Sequence, residues 1–398
     1  MHPYTNGVRL LLLCALGLFA GTKVATATEI DLGETDRVAR LFSHPNNCHV
    51  VCYLPQTLEQ TVELYLRDSL KRDGHSDADV SVFQTSGRVK VTISGAIGRE
   101  YAIALPAFLS AGDKAYDGAQ RLLKEGKWRY NWKFYLPLGL PLTDNKSVQL
   151  LHFPPDYVLE HSQDYLAANT TKRWAELLIL NGASPDETDM FQAIIDIAPI
   201  SAPASDGKLL DGTYGYFQAF IDDLLRLWTS QSNESGVRPV VAFGLPVREY
   251  LKDRYGLSLK ILTYAEIDLG NDTLVPLLAA NHPSRFYNAI NALLQQKPAA
   301  KADAVRLGIA IAQDDLIAAC WQISMATGAA DGRDVLAECK SRWRGKTAEV
   351  CEIVIEQRFK GDSEASKVCG GGDTSLFSEW SDERISEVET LSIIPEVN

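Results

Sequence analysis

The region from 147 to 284 constrains the fold most. Short apolar runs at 148–153, 174–180, 193–200, 239–244, 259–267 and 275–284 are interleaved with helical stretches at 214–228 and 247–255. The first of these helices carries Phe217, Phe220, Leu224, Leu225 and Trp228 along one side. A parallel strand is buried on both faces and reads as an unbroken apolar run. Such runs, separated by helices, predict an α/β fold: a three-layer, mostly parallel sheet with helices on both faces. Chemistry in such a fold collects where strands stop and loops begin. The run 275–284 ends in His282-Pro283-Ser284 and so places a histidine at such a point.

The flanks differ in character. Residues 28–146 predict an α+β module. It has a helix at 56–72 (Leu58, Val62, Leu66, Leu70), a hairpin of 80–83 and 89–93 around Thr85-Ser86-Gly87, and a helix at 114–124. At 127–134, Trp128, Tyr130, Trp132 and Phe134 alternate with Lys127, Arg129 and Lys133. Aromatic residues among cations can stack on bases. Period two, however, first describes a strand with its aromatic face in the core, and that reading is adopted. Residues 301–360 predict helices at 302–327, 333–342 and 347–359, each with one cysteine. The tail 361–398 holds nine acids against two bases and is expected to be solvated and partly disordered.

Residues 1–27 read as a secretory signal peptide. Arg9 precedes the apolar run 10–20, and Ala25-Thr26-Ala27 offers a cleavage site. The run is short for a membrane span, so the expected product is secreted, extracellular or periplasmic, with no membrane attachment after cleavage. Without Cys14 the cysteines are Cys48, Cys52, Cys320, Cys339, Cys351 and Cys369. An even set in an oxidising compartment predicts disulfides, and six cysteines allow fifteen connectivities. Clustering suggests one amino-terminal pair and two bonds in the carboxy-terminal region. His44, Cys48, His49 and Cys52 match no standard zinc spacing. No metal and no cofactor are expected. Asn145, Asn169, Asn233 and Asn271 stand in acceptor triplets, making a glycoprotein if the host glycosylates secreted chains. The net charge of −12 and the absence of a strong basic patch argue against broad attraction to nucleic-acid backbones.

Between 172 and 297 the order of elements resembles the uracil-DNA glycosylase superfamily. The resemblance rests on the loop Gly182-Ala183-Ser184-Pro185, the run 193–200, the helix 214–228, Phe243-Gly244, and His282-Pro283-Ser284 followed by Arg285, Phe286 and Tyr287. It covers under a third of the chain. It implies a base flipped into a pocket at the strand ends. His282 would donate a hydrogen bond to a base carbonyl as charge develops there. Ser284 would hold a backbone phosphate, with Arg285 and Phe286 on the nucleic-acid side. The family's acid or Asn in the first loop is replaced by Ala183 and Ser184. Asp186 and Glu187 are the candidate substitutes beside Gly182, Ser184 and Pro185. A second register takes 148–153 as the first strand, Asp156 as the loop acid and 174–181 as the second strand, with Asn181 reading the base. Connection lengths favour the first register.

The implied function is a divergent, secreted glycosylase-like protein that binds a nucleobase, nucleoside, single-stranded nucleic acid or another small polar ligand. N-glycosidic hydrolysis would depend on the altered loop. Two alternatives stay open. One is a non-catalytic extracellular binding protein of the same fold. The other is a secreted hydrolase in which Ser184, His282 and Asp196 converge, although no Gly-x-Ser-x-Gly elbow occurs.

Overall fold

A computed structural model describes residues 27–42, 57–72, 75–134, 136, 145–153, 169–230, 238–270, 274–329 and 331–370. The signal-like segment, Cys48, Cys52, Asp156, Asn233, Asn271 and the tail beyond 370 lie outside the described residues.

The chain opens with β1 (Thr28–Glu34), α1 (Thr35–Phe42), α2 (Leu58–Arg72), β2 (Val80–Thr85), β3 (Arg88–Ile93), α3 (Ile97–Lys124) and β4 (Lys133–Phe134). β1, β3 and β2 form an antiparallel sheet in that order. Then follow β5 (Val148–Leu151), α4 (Asn169–Leu180), β6 (Ala193–Asp196), β7 (Ile200–Ser201), α5 (Gly207–Leu210), α6 (Gln218–Ser230), β8 (Val240–Phe243), α7 (Gly244–Tyr255), β9 (Tyr264–Asp268) and β10 (Leu274–Ala280). Five helices complete the described chain: α8 (Arg285–Gln296), α9 (Lys301–Ala326), α10 (Gly332–Arg344), α11 (Thr347–Arg358) and α12 (Ser363–Gly370).

The main sheet has the order β6-β5-β8-β10-β9. β6, β5, β8 and β10 are parallel, and β9 closes one edge antiparallel to β10. β5, β6 and β8 are buried at every position, which is why they read as continuous apolar runs. Their alternate residues serve two cores. Val148, Leu150, Ile195, Val240 and Ala242 pack in the core shared by α3, α6, α7 and the amino-terminal sheet. Leu151, Ile194, Val241, Phe243 and Ala280 pack with α4, α8 and α9. The carboxy-terminal helices therefore share a core with the sheet.

Three expectations change. Residues 174–180 form a helix, not a strand. Trp174, Leu177 and Leu178 are buried at spacings of three and four, while Ile179 and Leu180 are exposed. Gly182, at φ +101°, ends that helix: its N–H donates to Ile179 O and that of Ala183 to Leu178 O. The segment 127–134 is strand only at Lys133–Phe134. Trp132 and Phe134 enter the core as expected, but Tyr130 is 100% exposed. The acidic tail does not begin at 361. Asp362 pairs with Lys301, and α12 buries Ala365.

Cys320–Cys339 ties α9 to α10, and Cys351–Cys369 ties α11 to α12, the two carboxy-terminal bonds expected. Among the described residues no helix is long and apolar enough to cross a membrane.

Candidate functional site

Parallel register brings Leu151, Asp196, Phe243 and Ala280 to one level at the carboxyl edge of the sheet. The chain continues from them into His152, Ile197, Gly244 and Asn281-His282. Gly244 has φ +82°, and a Cβ placed on it would stand 3.4 Å from His282 Cβ. Its lack of a side chain lets α7 begin against the histidine.

His282 Nδ1 lies 2.7 Å from Ser284 Oγ and accepts from the Ser284 backbone N–H at 3.3 Å. A nitrogen that accepts carries no proton, so the neutral ring bears its hydrogen on Nε2. Burial lowers the pKa of His282 to about 4. His152 is lowered further, to about 3, by burial first and then by the charge His282 would carry. Its Nε2 lies 2.9 Å from Tyr214 Oη, which donates to Asp211 Oδ1 at 2.6 Å. With the tyrosine's one proton directed at Asp211, His152 Nε2–H is the donor to Oη, and Nδ1 is left as an acceptor. Burial, followed by the bond to Asp211, raises the Tyr214 pKa, so the phenol keeps its proton. Phe153 stands edge-on to His152 at 4.7 Å, and Gly207 borders both rings.

A buried ionic cluster lies behind His282. Asp315, wholly buried, accepts from Arg173 Nη1 at 2.5 Å and Asn281 Nδ2 at 3.2 Å. Arg173 Nη1 also reaches Pro283 O at 3.3 Å. Burial raises the Asp315 pKa, while the Arg173 guanidinium opposes that shift. Arg285 donates to Asn281 Oδ1. Phe286 is fully buried beneath the Arg173 guanidinium, 4.2 Å from its ring centre. Phe286, expected on the nucleic-acid side, is instead buried, while half-buried Arg285, expected there too, bonds Asn281 within the loop. Ser284, expected on a phosphate, sets the tautomer of His282.

The loop with Gly182, Ser184, Pro185, Asp186 and Glu187 does not join this site. It follows α4 and precedes β6, at the amino edge of the parallel strands. Glu187 pairs there with Lys146, just before β5, at 3.3 Å, and Asp186 is exposed. These carboxylates are solvated, as acids at a helix start usually are. Ser184 shares that edge, so the Ser184, His282 and Asp196 arrangement does not form. Asn181 is buried, with its amide committed to Leu177 O, Leu316 O and Trp343 Nε1.

His152, Tyr214 and Asp211 were not singled out from sequence. One signal was present: the run 148–151 ends in a histidine, as does 274–280 plus one residue. Among the described residues no three His, Cys, Asp or Glu side chains cluster to hold a metal ion. No family model, curated protein or solved structure matches the chain.

Proposed function

We propose that the protein binds a small uncharged polar heterocycle, a nucleobase or nucleoside, at the carboxyl edge of the sheet. One observation carries this reading: His282 Nδ1 accepts from the Ser284 N–H, which leaves Nε2–H as a donor, at the same strand-end edge where His152 bonds Tyr214 through Nε2 and keeps Nδ1 free to accept. A donor and an acceptor of fixed polarity fit the amide edge of a base and favour no net charge. The reading places a three-layer domain at 147–300, between an amino-terminal module at 28–146 and a helical region at 301–360. Secretion fits the two disulfides.

Binding is favoured over turnover. A general base works best with a pKa near the operating pH, and His152 at about 3 is far below neutrality. The glycosylase resemblance thus contributes His282, while among the described residues the candidate loop acids Asp186 and Glu187 stand at the opposite edge of the sheet. A non-catalytic binding protein is the form of the proposal that these residues support.

Calorimetric titration with uracil, uridine and adenosine tests it. Wild type is expected to bind at least one of them, and His282→Ala to weaken binding by about tenfold, the value of one hydrogen bond. Base release from uracil-containing single-stranded DNA is expected to be absent. Equal affinity in both proteins overturns the role of His282.

A further inference from the structure

Residues 121–133 hold five cations, Arg121, Lys124, Lys127, Arg129 and Lys133, against one acid, Glu125, in a chain of net charge −12. Glu125 is already engaged by Lys127 at 2.8 Å and by Tyr216 Oη. Lys124, Arg129 and Lys133 have no ion-pair partner among the described residues, and Lys124 and Arg129 are exposed. Tyr130 stands between them in a turn, 100% exposed, so its ring buries nothing against its own chain.

This segment shares an edge with the histidine pair. Lys133 in β4 pairs with Ser201 in β7, shortly after the carboxyl end of β6. Trp132 Nε1 donates to buried Asp206 at 2.9 Å, and the next residue, Gly207, borders His152 and Phe153. Lys127 Nζ lies 2.6 Å from Tyr216 Oη, two residues beyond Tyr214, which bonds His152. The turn is therefore pinned from two sides beside the site.

We propose that the segment 124–133, from the end of α3 to the start of β4, is a platform for single-stranded nucleic acid, with Lys124, Arg129 and Lys133 on phosphates and Tyr130 stacked on a base, leading an unpaired base to the strand-end site. The proposal rests on the nucleobase reading above and names its source as a strand rather than a free base. Cations with an exposed aromatic ring are the chemistry of such platforms, and a base enters a pocket only when unstacked. The charge is local, so an acidic chain can still carry it.

Fluorescence anisotropy with a labelled twelve-residue oligothymidylate tests the platform on the full chain. Wild type is expected to bind with a log–log salt slope of about −2, for three phosphates at roughly −0.7 each. Lys124→Glu/Arg129→Glu/Lys133→Glu is expected to lose at least about tenfold and to flatten that slope. Tyr130→Ala is expected to lose about tenfold without changing it. Unchanged melting temperatures confirm that these surface variants fold. No binding by wild type at low salt overturns the platform, as does unchanged binding by the triple variant. Equal displacement by heparin or by vesicles with phosphatidylserine also overturns it, because the patch then reads only negative charge. Nucleoside titration separates the two proposals. Nucleoside binding without oligonucleotide binding sinks the platform alone. Oligonucleotide binding lost in the triple variant, with no nucleoside binding in wild type, sinks the pocket alone.

Discussion

Helix α9 carries two buried polar clusters, seven residues and about 10 Å apart along its axis. At the carboxyl edge of the sheet, Asp315 gathers Arg173 and Asn281, and Arg173 in turn holds Pro283 O. At the amino edge, Gln322 Nε2 donates to Ser147 Oγ at 2.7 Å and Phe191 O at 2.6 Å, while Trp174 Nε1 donates to its Oε1 at 2.8 Å. Both side chains are wholly buried. One cluster is ionic and the other neutral. A neutral amide with matched partners adds a modest net stabilisation. A buried ion pair must offset a large desolvation cost and is costly to break. The ionic cluster sits where the 281–286 loop must hold His282 and Ser284 in one geometry. The neutral one fastens the starts of β5 and the approach to β6, where no candidate ligand group lies.

The sharpest way to break this contrast is to remove the charge at one end only. Asp315→Ala is expected to cost about 3–5 kcal/mol in denaturant unfolding, because Arg173 is left buried without its counter-ion. Nucleobase affinity should fall with it. Arg173→Met/Asp315→Leu should recover most of the stability without recovering affinity. If the double variant binds as tightly as wild type, the ionic cluster does not position the loop.

Acid probes the same edge. An unfolded histidine takes up a proton as the pH falls below about 6.5, whereas folded His282 does so only near about 4. Unfolding is therefore favoured progressively between those values, and His282 adds no further loss below them. Its share is on the order of 3 kcal/mol. His152 extends the window to about 3. Stability measured from pH 7 to pH 4 should fall, and His282→Asn should flatten part of the slope. An unchanged slope would show that the ring is not kept neutral by burial.

At the other end the effects should be smaller and purely structural. Gln322→Leu is expected to cost roughly 1–3 kcal/mol, since Ser147 and Trp174 lose a buried partner, with nucleobase affinity unchanged. Asp186→Asn/Glu187→Gln should alter stability by less than about 0.5 kcal/mol and leave ligand titrations as they are. A loss of binding in that variant would return the 182–187 loop to the site.

Much of the sheet was legible. β5, β6, β8 and β10 lie within apolar runs, because strands buried on both faces have no polar side to show. The three cysteine-bearing helices were legible too, from their spacing. The run 174–180 was not. A short apolar stretch is compatible with either a strand or a helix, and only contacts with α9 decide between them. That one ambiguity had a large consequence. Reading the run as a strand puts the Gly182 loop at the same edge as His282; as a helix, it carries the chain back to the opposite edge. Period two at 128–134 misled for a similar reason, since Tyr130 sits in a turn while Trp132 and Phe134 enter the core.

By itself the sequence determined that β10 runs apolar into His282, that the strands must be covered, and that α9, α10 and α11 each carry a cysteine. Those are local properties of composition and spacing. Only the tertiary structure decided that His152 and His282 end strands at one edge, that Ser284 sets the tautomer while Arg285 bonds Asn281 and Phe286 is buried, and that Asp186 and Glu187 lie at the far edge. These relations join residues remote in the chain. They depend on parallel register and on the direction of each crossover, which no local pattern encodes.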